Sequence, residues 1–284
     1  MSRISPLVSI VFTTHNAARF IKTTVSAALA QDYTNFEVII ADDGSTDDTE
    51  PICRAINDPR LKFFGLGRVG RCRALNQAIA AAKGKYIANN DADDISLPHR
   101  LAYAVDFLET YGDVAYIATD VVRAETFSDV ISSELKGPHP CVAVNDATWP
   151  GRADLYRRNL FNHSTLVYPK STWKTIGGYD ETLDVSEDYD FYLRAMQCGR
   201  AGLLPGKTVI WCADSNGYFR QKGMGEYLRV MLKIKRRAHR LLHLPSWILL
   251  YHYLWTFYYF TKRFCQNVAA GKRIRQNPMP YERR

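Results

Sequence analysis

Residues Leu7-Val8-Ser9-Ile10-Val11-Phe12 form a nearly continuous apolar, β-favouring run, the pattern of a strand covered on both faces, and the run stops at Thr13-Thr14-His15-Asn16. The period then changes. Between Ala17 and Gln31, Phe20, Ile21, Thr24, Val25, Ala28 and Leu29 recur at helical spacing, and Asn35 to Ala41 reads as a second buried strand, completing a βαβ unit. Asp42-Asp43-Gly44-Ser45 closes that strand, with Ser45 or Thr46 placed to cap a helix whose first turn is acidic. A strand at Leu61 to Phe64, a helix from Arg71 to Ala82, a strand at Lys85 to Ala88, a helix beyond Pro98 to Tyr111 and a strand at Val114 to Thr119 continue the alternation. This predicts an α/β fold of Rossmann-like design, a mostly parallel sheet with helices on both faces. From Val121 to Leu160 the periodicity lapses, with Pro138, Pro140 and Pro150 inside the segment. Irregular stretches attached to an α/β core are often the substrate-facing ones.

In open α/β sheets the binding crevice lies beyond the carboxyl ends of the strands. Four polar clusters fall at such ends or follow them: Thr13 to Asn16, Asp42 to Ser45, Asp91 to Asp94 and the later Glu187-Asp188. The stretch NNDADDISLP sets Asp91, Asp93 and Asp94 within four positions, a crowding of like charge that calls for a cation. Mg²⁺ or Mn²⁺ suits such a site, because hard divalent ions take oxygen ligands and Mg²⁺ commonly uses one or two carboxylates together with substrate phosphates. A competing motif is Gly65-Leu66-Gly67-Arg68-Val69-Gly70, which matches G-x-G-x-x-G between a strand and a helix with Asp91 about 20 residues on, as a dinucleotide site has. On that alternative the chain is an NAD-dependent oxidoreductase. Against it stand three neighbouring carboxylates where a ribose needs one, and two strand-helix elements ahead of the motif.

At 284 residues and 46% hydrophobic the chain is long enough to bury a substantial core. Its six cysteines contain no C-x-x-C pair and no matching His spacing, which argues against zinc and against a disulfide framework and favours a reducing, cytoplasmic setting; the N-terminal run reads as no signal peptide. The net charge of +8 is uneven. Residues 219–284 carry fifteen Lys/Arg against Glu226 and Glu282, a net +13, leaving −5 on residues 1–218. An acidic body with a basic tail is not the pattern of a nucleic-acid binder, whose cations should line the fold itself.

The segments VSIVFTTHN, FEVIIADDGSTDDT, LNQAIAAAKGKYIANNDADDISLPHRL, FNHSTLVYPKSTW and IGGYDETLDVSEDYDFYLR occur in this order over about residues 7 to 220. Together they resemble a family 2 glycosyltransferase with the GT-A fold, of the non-processive kind that builds bacterial polysaccharide and lipopolysaccharide; no Q-x-x-R-W element of processive synthases is present. The resemblance implies a catalytic domain over 1–220 that binds a nucleotide-sugar donor, most often a UDP-sugar, and passes the sugar with inversion to a glycan or lipid-linked acceptor. It implies that Thr13 and Asp42 hold the base, Asp91 faces the ribose, Asp93 binds the metal on the diphosphate, and Arg71, with Arg73 as an alternative, lies near the base or phosphates. Asp188 matches the general base. His163 and Glu187 fall on the acceptor or diphosphate side, and Arg220 stands where relatives carry a basic or His-containing element. A degenerate, carbohydrate-binding relative is the non-enzymatic alternative. By spacing alone Glu187 and Asp188 read as an acidic first helical turn favoured by the macrodipole, and His163 as a structural histidine.

Residues 221–284 form a basic, aromatic extension expected to be helical. Leu241 to Phe260 is about as long as a bilayer span, but Pro245, His243, His252 and the tyrosines suit an interface better than the hydrocarbon centre. With Lys233, Lys235, Arg236, Arg237 and Arg240 before it and Lys262 and Arg263 after it, residues 229–263 read as helices lying on an anionic cytoplasmic membrane surface, peripheral on the inner face of the plasma membrane. The alternative is a helical lid on the catalytic domain.

Overall fold

The computed structural model describes residues 5–126, 146–212 and 224–248, with 250, 251, 253, 254 and 258. Among these, β1 (Val8–Thr14), β2 (Phe36–Asp42), β3 (Leu61–Gly65), β4 (Tyr86–Asp91), β5 (Ile95–Ser96), β6 (Val114–Ala124), β7 (Val167–Pro169) and β8 (Arg200–Cys212) form one sheet in the order β3-β2-β1-β4-β7-β6-β8-β5. Pairings β1–β2, β1–β4, β2–β3 and β6–β8 are parallel, while β7 runs antiparallel to β4 and β6, and β5 antiparallel to β8. The helices are α1 (Ile21–Leu29), α2 (Thr49–Arg54), α3 (Arg71–Ala81), α4 (Arg100–Thr110), α5 (Arg152–Arg157), α6 (Lys170–Ile176), α7 (Glu187–Ala195) and α8 (Met224–Leu241).

Every residue of β1 and β2 is buried, as their unbroken apolar runs require. Alternation divides them between two cores. Val11 and Ile39 pack with Leu75, Ile79 and the buried face of α7, while Ile10, Phe12, Val38 and Ile40 pack with Ile21, Val25, Leu101 and Phe107 from α1 and α4. The two-faced parallel arrangement expected from the alternation is therefore present through β3-β2-β1-β4. The mixed part is built from pieces with weak periodicity: β5 is two residues and β7 three, too short for a sequence pattern.

Helix α8 joins the same core as α3 and α7. Ile234, Ala238 and Leu242 are buried there, together with Ile248 beyond the helix. Burying an aliphatic side chain of this size contributes about 1.5–3 kcal/mol, enough for these few contacts to hold a helix whose other face is charged. Polar contacts fix its register: Lys235 Nζ donates to Tyr189 Oη at 2.5 Å, Arg237 Nη1 donates to Asp180 at 2.9 Å, and Arg237 Nη2 pairs with Asp190. Over residues 226–248, then, the extension lies against the α/β body by one face.

Candidate functional site

The C-terminal ends of three strands meet in register. Thr13 of β1 lies between Ala41 and Asp91, and Thr14 pairs with Asp42. β1 has β2 on one side and β4 on the other, so this is the point where strand order reverses and where α/β sheets open a crevice. The two loops above it are tied together. His15 Nδ1 donates to the Asp43 carbonyl at 3.0 Å, the Asn16 amide to Ser45 Oγ at 2.9 Å, and the Thr46 amide to Asn16 Oδ1 at 2.8 Å. Asp42 accepts the Ser45 amide (3.0 Å) and hydroxyl (2.5 Å). Ser45 and Thr46 are thus committed to the turn, and α2 begins at Thr49, later than the capping pattern implies.

Asp43 has a role that the sequence does not announce. Its Oδ1 accepts the amides of Val69 and Gly70, each at 2.7 Å, and its Oδ2 pairs with Arg68. These are amides that a dinucleotide fingerprint would offer to a pyrophosphate, and a carboxylate of the protein already occupies them. The loop also presses on the preceding turn: Gly44 has φ +70°, and a Cβ there would stand 2.8 Å from the Arg68 nitrogen. Gly44 permits this close approach, while Gly67 and Gly70 of the motif supply left-handed backbone at φ +66° and +92°; with Asp43 on the loop's amides, this weighs against the dinucleotide alternative.

The three carboxylates of NNDADD have separate surroundings. Asp91, at the end of β4, accepts from Arg71 Nη2 at 2.5 Å and from His163 Nδ1 at 3.1 Å. Burial opposes its charge, but Arg71 and His163 outweigh it and hold its carboxyl well below the usual range. Asp94 is buried, paired with the Ser164 hydroxyl and accepting the Cys212 amide at 3.2 Å. Burial, followed by the charges of Asp93 and Asp91, drives its pKa well above the usual carboxylate range. Beneath them Arg100, also buried, donates to the Asn89 carbonyl (2.6 Å), Ser96 (2.7 Å) and Asn90 (3.0 Å). Burial brings its pKa down to about 9 although Asp94 and Asp91 act the other way, which leaves it charged at neutral pH. Asp93 sits on the turn between β4 and β5 and is more exposed than Asp94. Among the described residues no group of three or more acidic, His or Cys side chains forms a metal cage.

His163 closes a polar chain. Asn89 donates to Tyr179 Oη at 2.7 Å, and that hydroxyl lies 3.0 Å from His163 Nε2. Asn89 Nδ2, which can only donate, also lies 3.0 Å from His163 Nε2; that nitrogen is therefore assigned as the acceptor, and Nδ1 carries the proton that goes to Asp91. Arg71 then bridges two parts of the site, with Nη2 on Asp91 and Nε 2.8 Å from a Glu187 carboxylate oxygen. Arg73 turns away to Glu181 at 3.0 Å, so of the two arginines Arg71 is the one that enters the site.

Glu187 and Asp188 open α7 just after Ser186, a buried non-glycine residue held at φ +56°. Such left-handed backbone costs roughly 1–3 kcal/mol and gathers at functional sites. Asp190, further along the same turn, is the structural acid, paired with Arg194 and Arg237. Asp188 is in no ion pair among the described residues; it accepts from Asn159 Nδ2 at 3.3 Å and from the Tyr189 amide at 2.7 Å. Burial, then the Glu187 charge, raises its pKa to about 6. An acid poised there is ionised at neutral pH yet basic enough to take a proton. If Asp188 is the base, the rate of turnover should fall about tenfold per pH unit below pH 6 and level off above it; a rate flat from pH 7 to pH 5 would contradict this assignment.

The geometry therefore brings together Thr13, Asp42, Asp91, Asp93, Arg71, His163, Glu187 and Asp188 around the ends of β1, β2 and β4. Arg220 lies outside the described residues. Asn89, Tyr179, Asn159 and Asp43 carry roles that the sequence does not single out; Asn89 and Asp43 sit in the quoted acidic motifs and Tyr179 in the quoted IGGYDETLDVSEDYDFYLR segment, whereas Asn159 carries no local signal.

A family model described as Glycosyl transferase family 2 matches residues 9–172. A Bacillus subtilis protein named as the glycosyltransferase EpsE is 30% identical over 223 residues, 76% of each chain. Other curated relatives are matched over less of their length, 58% of one from Rickettsia prowazekii and 27% of a chondroitin synthase from Escherichia coli. In fold, the chain aligns with Staphylococcus aureus TarS 1-349 in complex with UDP-GlcNAc at a TM-score of 0.62, with 19% identity over 83% of this chain and 70% of that one. It also aligns with the mannosyltransferase PcManGT of Pyrobaculum calidifontis, in complex with GDP-Man and Mn²⁺, at a TM-score of 0.59, with 20% identity over 95% and 77%. These neighbours establish the fold as GT-A, and the match across more than half of the sequence settles the family: the chain belongs to glycosyl transferase family 2.

Proposed function

We propose that the protein transfers a sugar from a nucleotide-sugar donor, a UDP-sugar in the first instance, to a glycan or lipid-linked acceptor in cell-surface polysaccharide synthesis. The observation that carries this reading is the Arg71 bridge: it joins the nucleotide-side carboxylate Asp91 to Glu187, immediately beside Asp188 with its raised pKa. Thr13 and Asp42 lie on the base side and Asp91 on the ribose side. His163 fixes the Asp91 carboxylate by donating to it. Asp188 takes the proton from the acceptor hydroxyl as that oxygen attacks the anomeric carbon opposite the departing diphosphate, a single displacement with inversion.

The residues fit a divalent cation. Asp94 is buried with both oxygens engaged, by the Ser164 hydroxyl and the Cys212 amide, and Asp91 is held by Arg71 and His163, so the more exposed Asp93 would be the protein ligand, with diphosphate oxygens completing the shell. When bound, Mg²⁺ or Mn²⁺ would neutralise charge on the leaving nucleoside diphosphate. The fold neighbours' complexes with UDP-GlcNAc and with GDP-Man and Mn²⁺ support donors of this class. The reading is tested by incubating the protein with UDP-, GDP- and dTDP-sugars and measuring nucleoside diphosphate release. Release from a nucleotide sugar, lost with EDTA, supports it; no release from any donor, together with quenching of reduced nicotinamide fluorescence, would replace it with the oxidoreductase alternative.

A further inference from the structure

Among the described residues, six large apolar side chains are prominently exposed, and five of them fall between positions 247 and 258: Trp247, Leu250, Tyr251, Leu254 and Tyr258, each 51–61% exposed. The described residues from 246 onward in this segment are helical, and spacings of three, one, three and four place the five on one helical face. The other side of the segment is held to the protein by buried Ile248 and by Arg236 Nε, which donates to Tyr253 Oη at 2.7 Å. The stripe is therefore presented outward from an anchored element.

The chemistry beside it selects the occupant. Arg229, Arg236 and Arg240 are exposed along α8, within residues 219–284, whose net charge is +13. Trp and Tyr favour the headgroup level of a bilayer, Leu enters the acyl boundary, and arginines pair with lipid phosphates. A second copy of this chain would bring +13 against +13, which disfavours self-association through this face. No described helix is long and apolar enough to cross a membrane, so the stripe would lie on the surface.

We propose that Trp247, Leu250, Tyr251, Leu254 and Tyr258 dock the protein on an anionic lipid surface. α8 is fixed to α7 through Lys235 on Tyr189 and Arg237 on Asp190, so the docking face has a set relation to Asp188. This rests on the sugar-transfer reading only for its purpose, delivery of Asp188 to a lipid-linked acceptor. The inner face of the tail packs on the α/β body, as the lid expectation has it, and the membrane proposal concerns the outward residues alone.

The test is flotation of the full chain with vesicles of phosphatidylcholine plus phosphatidylglycerol and of phosphatidylcholine alone. Binding should require the anionic lipid, weaken with salt, and fall by about tenfold or more in Leu250→Glu/Leu254→Glu. UDP titration of the same variant should be unchanged, showing an intact fold. Anionic-vesicle binding unaffected by the double substitution would overturn the proposal, as would a dimer of the wild type that this substitution dissociates. Since flotation needs no donor, vesicle binding without nucleotide-sugar turnover would retain the docking face and reject sugar transfer.

Discussion

Asp188→Asn should lower sugar transfer by about 10²–10⁴-fold, the usual contribution of a positioned base, while leaving donor affinity nearly unchanged. Asparagine keeps the shape and can still accept the Tyr189 amide, but it cannot take a proton from the acceptor hydroxyl. Stability gives a second readout. The folded-state pKa of about 6 lies above the ordinary aspartate value of 3.8, so Asp188 favours the fold at low pH, and that contribution is lost as pH rises from about 4 through 6. Above pH 6 the ionised, half-buried carboxylate is a burden on the fold, and the variant should melt no lower than the wild type at pH 7. Transfer at the wild-type rate would move the base elsewhere. A large fall in melting temperature would instead make Asp188 a structural acid of the kind Asp190 is.

Asp93→Ala should remove the metal-dependent part of donor binding, a loss on the order of a hundredfold in affinity measured by UDP titration with Mn²⁺. Asp94→Asn supplies the contrast. Because Asp94 is buried and both its oxygens are already engaged within the protein, exchanging its carboxyl for an amide should leave the metal-dependent component in place. Equal losses in the two variants would mean that the acidic motif acts as a pool of charge. A loss confined to Asp94→Asn would put the cation on the other carboxylate.

The first half of the fold is readable because its strands are long and buried on both faces, so apolar runs and helical spacing mark β1 to β4 and their helices directly. The strands β5, β7 and β8 escape for different reasons. The first two are shorter than a periodic signal, and β8 contains Pro205 and Gly206 and runs beside β6 with register shifts. At the site, acid clusters at strand ends are legible as a group, but their division of labour is not. Asp43 holding the Val69 and Gly70 amides, Asp94 buried on Ser164, and Arg71 rather than Arg73 entering the site all depend on contacts between residues 20 or more positions apart. The tail posed a related difficulty: Ile234 and Ala238 bury one face and Trp247 to Tyr258 expose another, which the overall composition of 221–284 averages together.

Calorimetric titration of UDP, with NAD as comparator, in Mn²⁺ and again in EDTA, tests most directly whether the acidic ends of β2 and β4 receive a sugar nucleotide. The account predicts UDP binding that EDTA weakens strongly and no binding of NAD. Binding of NAD alone, indifferent to EDTA, would contradict it and place the ligand on the glycine loop that Asp43 holds.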